Sequence, residues 1–543
     1  MTAILIANIG TSDITVKIDD YYIPVGFDRN EPNIDESGLT EDEKTVWDAQ
    51  LRQSYIISEL CPELGVTVTE NKKGEKFFSF RELTQKLLAA YENDQTGTWH
   101  DRIRPGRIWG VLQTATQDPN FQVKQAYIFV TDQPEFILDK KSGKEKFNLL
   151  GYPSDSIHLF NILKKWFQQE MPELELICKV IPKHIPAVDR DELLNYYYQF
   201  FVNHISSEQT ILIGIKGGTP QMQLALTMQA IASSVTSQLF INPQLSIKNI
   251  LNGKASECDF ASYWRYMRSQ KYQDVQIILE SRWDFRGAIS ILDKWLATLK
   301  FLKQYIDDSK LSASNELLSR IVKTLEVGDY CLNLDCQTAK DFLVNNPQLA
   351  SKLSKKLVKQ VSNYDSLLNL YSQCCIYYNL DQIANFLSRM SSFYEGVLEQ
   401  TATQIGIDID FPYLKNRFEK RNFISEKILQ RNQASEQQAW QEILLLLKSL
   451  DYWCSHRNQL IHHGKGMSKK RMKLLYQEEV KKEHLDTCPP DRIIEHMAKI
   501  LTSNLEIVKP EYLHQFVRTS THHYIYSEVK DWAIAQLLHE GLQ

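Results

Sequence analysis

The chain has no run of about 18 apolar residues, the length a membrane helix needs, so no crossing helix is expected. Its apolar start, MTAILIANIG, is short, lacks a basic flank and runs straight into TSD; it reads as a buried first strand and not as a signal peptide. Paired cysteine spacing is also missing. The nine cysteines, Cys61, Cys178, Cys258, Cys331, Cys336, Cys374, Cys375, Cys454 and Cys488, form an odd, scattered set. That argues against a disulfide framework and a zinc site and points to a reducing cytoplasm. No carboxylate pair or ligand spacing supports a conventional metal-dependent hydrolytic site, and neither metal nor cofactor is expected. Charge of one sign is absent too: a net charge of -5 gives no global field for a polyanion, and any nucleic-acid contact must be local.

What is present is an ordinary globular composition, 43% hydrophobic and 24% charged, in a chain of 543 residues, too long for one core. The periodicity changes along it. In the first part, AILIANIGTSD, QAYIFVTDQ, ELICKVIPKH and TILIGIKGGTP are short β-branched runs ahead of turn chemistry, the pattern of buried parallel strands. Helical patterns lie between and after them: SFRELTQKLLAAY, opened by a capping box of Ser79 and Glu82, then SIHLFNILKKWF and QMQLALTMQAIASSV. Strands alternating with helices predict a doubly wound α/β domain over residues 1–255. DITVKIDDYYIPVGF reads as a hairpin about Asp19-Asp20 that begins an insertion over about 18–110, continued by an acidic surface stretch from Asn30 to Glu43.

Beyond residue 255 strand signals nearly vanish, and no low-complexity linker marks the change. Residues 256–375 read as a helical connecting region and 376–543 as a helical domain. Ile383, Phe386, Leu387, Met390, Tyr394, Val397 and Leu398 make one continuous apolar stripe in the second.

Two places carry chemistry. In ILIGI-KGGTP a strand, a glycine turn and a helix start follow in the order that creates an anion site, with Lys216 adding charge, Gly217 and Gly218 allowing close approach, Thr219 as N-cap and Pro220 at the first helical position. The Gly-Lys-Ser/Thr ending of a Walker loop is missing. A tight turn needing glycine on steric grounds fits equally well. Gly10, Thr11 and Ser12 after the first strand, and Thr131, Asp132 and Gln133 after another, can converge with it into a polar pocket for a phosphate–sugar–base ligand.

The second place is HRNQLIHHG, residues 456–464, closing a helix. Asn458 and His462 are four apart and share a face, whereas Arg457 lies roughly 140° from His462 on an ideal helix. Convergence needs a bent arginine or a second copy across a two-fold axis. His462 and His463 fall in the last turn, where the helix dipole favours imidazolium, and Gly464 suits a left-handed terminator. Arginine supplies a donor fork for phosphate, histidine moves a proton, and asparagine can orient it. Basic residues that merely complement the dipole are the competing explanation, and Arg-Asn recurs at Arg421-Asn422 and Arg431-Asn432 without a histidine at the matching offset.

With LIGIKGGTPQMQLAL in one half and HRNQLIHH in the other, the chain resembles the type III CRISPR-associated ribonucleases that join a Rossmann-like CARF sensor domain to an all-helical HEPN nuclease domain. The resemblance implies antiviral defence by a cytoplasmic homodimer. Its CARF pair would bind a cyclic oligoadenylate, tetra- or hexa-adenylate, as allosteric activator, and its HEPN pair would cut single-stranded RNA without metal, with no membrane and no stable DNA contact. The family's Arg, four to six residues, His motif falls on Arg457 and His462, or on His463, with Asn458 after the arginine. The ligand loops fall on Gly10 to Ser12, Thr131 to Gln133 and Lys216 to Pro220. Two other functions compete: a non-catalytic cyclic-nucleotide sensor that recruits a partner, and a phosphodiesterase that opens the cyclic messenger in the α/β half. The basic stretch KGMSKKRMK can touch RNA phosphate or simply be a solvated face.

Overall fold

The computed structural model describes the chain apart from residues 27–33, 139–142, 150, 408–413, 415, 431–433, 464–465, 481–485, 504, 506, 519–521 and 543, and apart from the side chains of 34, 49, 434–436, 458–463, 479, 518 and 542. It divides into two compact units, Met1–Arg268 with Lys294–Ala313, and Ser269–Asp293 with Ser314–Gln543. Among the described residues no helix is long and apolar enough to cross a membrane.

The first unit is built on a six-stranded sheet of β1 (Thr2–Asn8), β2 (Gln122–Thr131), β3 (Glu175–Ile181), β4 (Thr210–Gly214), β5 (Ser237–Pro243) and β6 (Cys258–Ala261). The spatial order is β3-β2-β1-β4-β5-β6, parallel throughout except for the antiparallel β5–β6 pair. This is the order of a Rossmann-type sheet, in which the winding direction reverses between β1 and β4. All four strands expected from apolar runs are present. β5 and β6 carried no such signal. CDFA is short and mixed, as an edge strand at the end of a sheet tolerates.

The sheet core shows why these strands are apolar on both faces. Ile6, Phe129, Ile211, Ile213 and Phe240 are buried against Leu193, Tyr197 and Phe200 of the helix Arg190–His204 and Met222 and Leu226 of the helix Pro220–Ala232. Phe129 meets Tyr197 and Phe200 edge-on, with centroids 4.8 and 4.9 Å away. Val111 and Leu112 of the helix Arg107–Gln117 are likewise buried.

The insertion begins as expected. Ile14–Ile18 pairs antiparallel with Tyr21–Pro24 across Asp19-Asp20, Asp19 taking the left-handed φ of 52°, and Ile103–Pro105 adds a third strand. The Ser79 capping box forms only by half. Ser79 accepts from the Glu82 N–H at 3.3 Å, but the Glu82 carboxylate turns to the Thr67 N–H at 3.1 Å. A complete box closes on Thr40 and Glu43 instead, so the acidic stretch ends in a helix with Glu43 buried.

The second unit contains no strand among its described residues. The apolar stripe of helix Ile383–Gln404 is buried at every one of its seven positions. The helix packs against Ser366–Asn379 and Ala434–His463. Ser366–Asn379 is buried nearly all round, and its amides bond internally: Asn369 accepts from the Tyr526 hydroxyl at 2.6 Å, and Gln373 donates to the Cys331 carbonyl at 3.1 Å, though the Gln373 side-chain oxygen is buried without a partner. All nine cysteines are free thiols.

Candidate functional site

The loops after β1 and β4 lie side by side because their strands are neighbours, Ala7 opposite Gly214. A ligand crevice is expected where the winding reverses, outside the carboxyl ends of such strands. Both loops are shaped by backbone contact with each other. A Cβ on Gly10 would stand 2.8 Å from the Gly218 nitrogen, and one on Gly217 would stand 2.1 Å from the Asn8 carbonyl oxygen. Gly217 and Gly218 also take φ of 100° and 69°. The steric demand for glycine is therefore real, and it brings Gly10 together with the Lys216–Thr219 turn.

Thr219 caps the helix Pro220–Ala232 as its position suggested, accepting from the Met222 N–H at 3.2 Å while its hydroxyl donates to the Ala187 carbonyl at 2.5 Å. Pro220 opens that helix. Lys216, Thr11 and Ser12 are half-buried at the crevice.

Three residues that the sequence reading passed over hold this crevice together. Asp13 is buried and accepts from the Gly10 N–H at 2.8 Å and the Ile108 N–H at 3.1 Å, closing the first loop. Arg107, also buried, donates to the Ser12 hydroxyl. Asn8 ends β1 with its carbonyl against Gly217. Its side-chain oxygen accepts from Tyr197 at 2.7 Å, and its amide nitrogen is buried without an acceptor. A polar residue closing the apolar strand TAILIAN was the available signal.

Thr131, Asp132 and Gln133 take a different part. Thr131 and Ser156 clasp each other through backbone and hydroxyl at 3.0 and 3.2 Å. Gln133 is buried, its backbone N–H on Asp155 at 2.7 Å and its side-chain amide donating to the Ile185 carbonyl at 3.0 Å. Asp132 pairs with Arg81 at 2.8 Å and Lys183 at 3.3 Å, and Arg81 also reaches Asp155 at 2.7 Å. These groups brace the end of β2 rather than present unfilled donors. Partial burial opposes ionisation of Asp132, but the hydrogen bonds from Arg81 and Lys183 outweigh it and hold the carboxyl below its ordinary range. Asp155, whose side chain is wholly buried, is pushed up to about 6 by that burial in spite of Arg81 and the Gln133 N–H.

In the second unit the helix Ala434–His463 runs through the whole motif and ends at His463. Asn458, His462 and His463 belong to it by backbone; their side chains, and Gly464, lie outside the described residues. Arg457 is half-buried, and its Nε has no hydrogen-bond acceptor although it is shielded from solvent. His456 donates from Nδ1 to the Tyr452 carbonyl at 3.0 Å and lies 4.6 Å from the Tyr452 ring, a fixture of the helix wall. Arg421, the first of the recurring Arg-Asn pairs, donates from Nη1 to Asp451 and to the Tyr394 hydroxyl at 2.9 Å. Arg431 lies outside the described residues. Burial pushes the Tyr394 phenol up, and it pushes the Cys454 thiol, one turn before Arg457, up to about 12. Among the described residues no group of three or more His, Cys, Asp or Glu is placed to hold a metal.

No protein-family model matches the chain, and no curated protein does. One solved structure similar to it is Enterococcus italicus Csm6 bound to cyclic hexa-2'-fluoro-hexa-dAMP, at 12% identity and a TM-score of 0.41, over 80% of this chain and 95% of that one.

Proposed function

We propose that the protein is a cyclic-oligoadenylate-activated endoribonuclease of type III CRISPR defence, acting as a homodimer in a reducing cytoplasm. The observation that carries the reading is Arg457: a shielded guanidinium with an unfilled donor, on the helix that continues into Asn458 and His462. Leaving such a donor without an acceptor costs about 1–3 kcal/mol, which an arriving phosphate would relieve.

The 2′-hydroxyl of the RNA attacks the adjacent phosphorus, losing its proton to a base. The 5′-oxygen leaves and takes up a proton, giving a 2′,3′-cyclic phosphate and a 5′-hydroxyl. His462 or His463 moves the protons, and Arg457 neutralises the charge that gathers on the phosphorane. The exposed cations Lys470, Arg471 and Lys473 on the short helix Lys469–Leu475 supply local charge for the flanking strand.

The activator sits on the paired glycine loops, where close backbone approach and the first-turn amides of the helix Pro220–Ala232 suit phosphate. Tyr198 and Val202 on one flanking helix, and Leu224 and Met228 on the next, are exposed apolar side chains suited to a second copy of the chain. The test is incubation of purified protein with labelled single-stranded RNA in chelator, with and without cyclic tetra- and hexa-adenylate. Activator-dependent cleavage leaving cyclic phosphate ends is expected. No cleavage under any of these conditions would leave the sensor function in its place.

A further inference from the structure

We infer that Arg81, a residue of the insertion, is a second phosphate-binding group of the activator crevice, an inference that rests on the reading that a cyclic oligoadenylate sits on the glycine loops. Arg81 follows the Ser79 cap as the second residue of the helix Phe80–Glu92. Its guanidinium is bonded at one nitrogen only. Nη1 donates to Asp132 at 2.8 Å and to the wholly buried Asp155 at 2.7 Å, and the group lies 4.5 Å from the centre of the Tyr152 ring. Among the described residues Nε and Nη2 have no acceptor, yet neither is shut off from solvent. These two nitrogens form the edge of the guanidinium turned away from Nη1, and such an edge matches two oxygens of one phosphate. Asp132 and Asp155 therefore fix the arginine without covering the fork that would meet a ligand. The charges of the cluster cancel, Arg81 and Lys183 against Asp132 and Asp155, so what Arg81 offers a phosphate is a directed pair of donors and not surplus charge.

Strand register brings this cluster to the crevice. Asn8 stands opposite Phe129 across the β1–β2 pair, and the Ile9 N–H donates to the Phe129 carbonyl at 3.2 Å. Gly10 and Thr11 therefore leave the sheet beside Thr131 and Asp132, at one strand spacing of about 4.8 Å. On the other side of β1, Ala7 stands opposite Gly214, the last residue of the strand that runs into the glycine turn. The first loop is thus flanked by the glycine turn on one side and by Asp132 with Arg81 on the other, two strand spacings or roughly 10 Å apart at the sheet. One phosphate cannot serve both places. A ligand with phosphodiesters along its length can put one on the turn and another on Arg81, whereas a mononucleotide fills the turn alone. The insertion then takes part in recognition: it carries a donor fork to a strand end where Thr131 and Gln133 are bonded inward.

The experiment measures binding of cyclic tetra- and hexa-adenylate to the full-length protein by calorimetry, with the melting temperature of each variant recorded alongside. Arg81→Gln is expected to weaken binding about 10–100-fold, the loss of a charge-assisted pair of hydrogen bonds. Lys183→Gln takes a charge from the same carboxylate without touching the fork, and its affinity should stay within about twofold of wild type. Arg81→Lys keeps the charge but has no Nε–Nη2 edge, so it should remain several-fold weaker than wild type. A folded Arg81→Gln protein with wild-type affinity would overturn the inference. An equal loss in Lys183→Gln would overturn it too, because the effect would then be charge acting at a distance. Should Arg81→Gln fail to fold, combining it with Asp155→Asn removes the buried carboxylate together with its partner and puts the same question, and wild-type affinity in Arg81→Lys would decide against the fork independently. Absence of binding of either cyclic adenylate by the wild type would instead bring down the activator reading itself.

Discussion

The two candidate sites differ in the kind of polar group they leave buried without a partner. At the strand ends of the α/β unit, Thr131, Gln133, Asp13 and Thr219 are bonded inward into a braced frame, in which the Asn8 amide nitrogen and Asp155 Oδ1 are buried without a partner. On the long helix of the other unit, Arg457 Nε and Asp451 Oδ1 are buried without partners. A frame of neutral, mostly bonded groups suits a sensor that must bind one shape, whereas a shielded cationic donor suits a centre that must meet negative charge as it develops.

The sharpest way to break this contrast is Arg457→Ala. Loss of one donor to a developing phosphorane should lower cleavage by about 10²–10³-fold, with activator binding and sedimentation unchanged. Full activity in the variant would remove the helical unit from the chemistry. His462→Ala and His463→Ala, assayed alongside, should separate the proton-transferring residue from its neighbour, by roughly 10²-fold or more.

The sequence made the local features legible and the non-local ones not. Thr219 and Pro220 could be placed as N-cap and first helical residue because capping is decided within four residues, and the seven-residue stripe from Ile383 to Leu398 because helical spacing is local. Gln133 looked like a ligand-reading amide because nothing nearby shows that Ile185, far along the chain, takes its hydrogen bond. Asp13 and Arg107 were invisible for the same reason: their partners, Ile108 and Ser12, lie across the whole insertion. Arg421 and Arg417 are four residues apart in one sequence context, and only the structure shows that Arg421 donates to the Asp451 carboxylate whereas Arg417 donates to its backbone carbonyl at 3.3 Å.

The frame side of the contrast can be sharpened through Asp155. Its carboxyl titrates near 3.8 when unfolded and about 6 when buried. Below pH 3.8 both states hold the proton and the contribution is complete. Between pH 3.8 and about 6 the unfolded chain releases a proton that the folded protein keeps, so stability falls as pH rises, by on the order of 3 kcal/mol in all. Asp155→Asn should flatten that part of the profile, read as urea midpoints from pH 4 to 7. An unchanged slope would mean that Asp155 does not carry the titration.

The smallest effect tests why the glycine turn contains glycine. At Gly217 a Cβ would drive into the Asn8 carbonyl at 2.1 Å with φ at 100°, so the backbone of β1 or of the turn must move. At Gly218 the φ of 69° is an ordinary left-handed value, and the nearest atom, 2.9 Å away, is the flexible end of Met222. Gly217→Ala should therefore cost about 2–3 kcal/mol of stability and Gly218→Ala about 1 kcal/mol. The order should reverse in function. Gly218→Ala presses its methyl on Met222 in the first turn of the helix Pro220–Ala232, so if the first-turn amides hold the activator it should raise the activator concentration for half-maximal cleavage while the protein still melts near the wild-type temperature. Equal stability costs, with no change in the activation midpoint for Gly218→Ala, would mean that both glycines serve only the packing of one loop on the other and that the activator binds elsewhere.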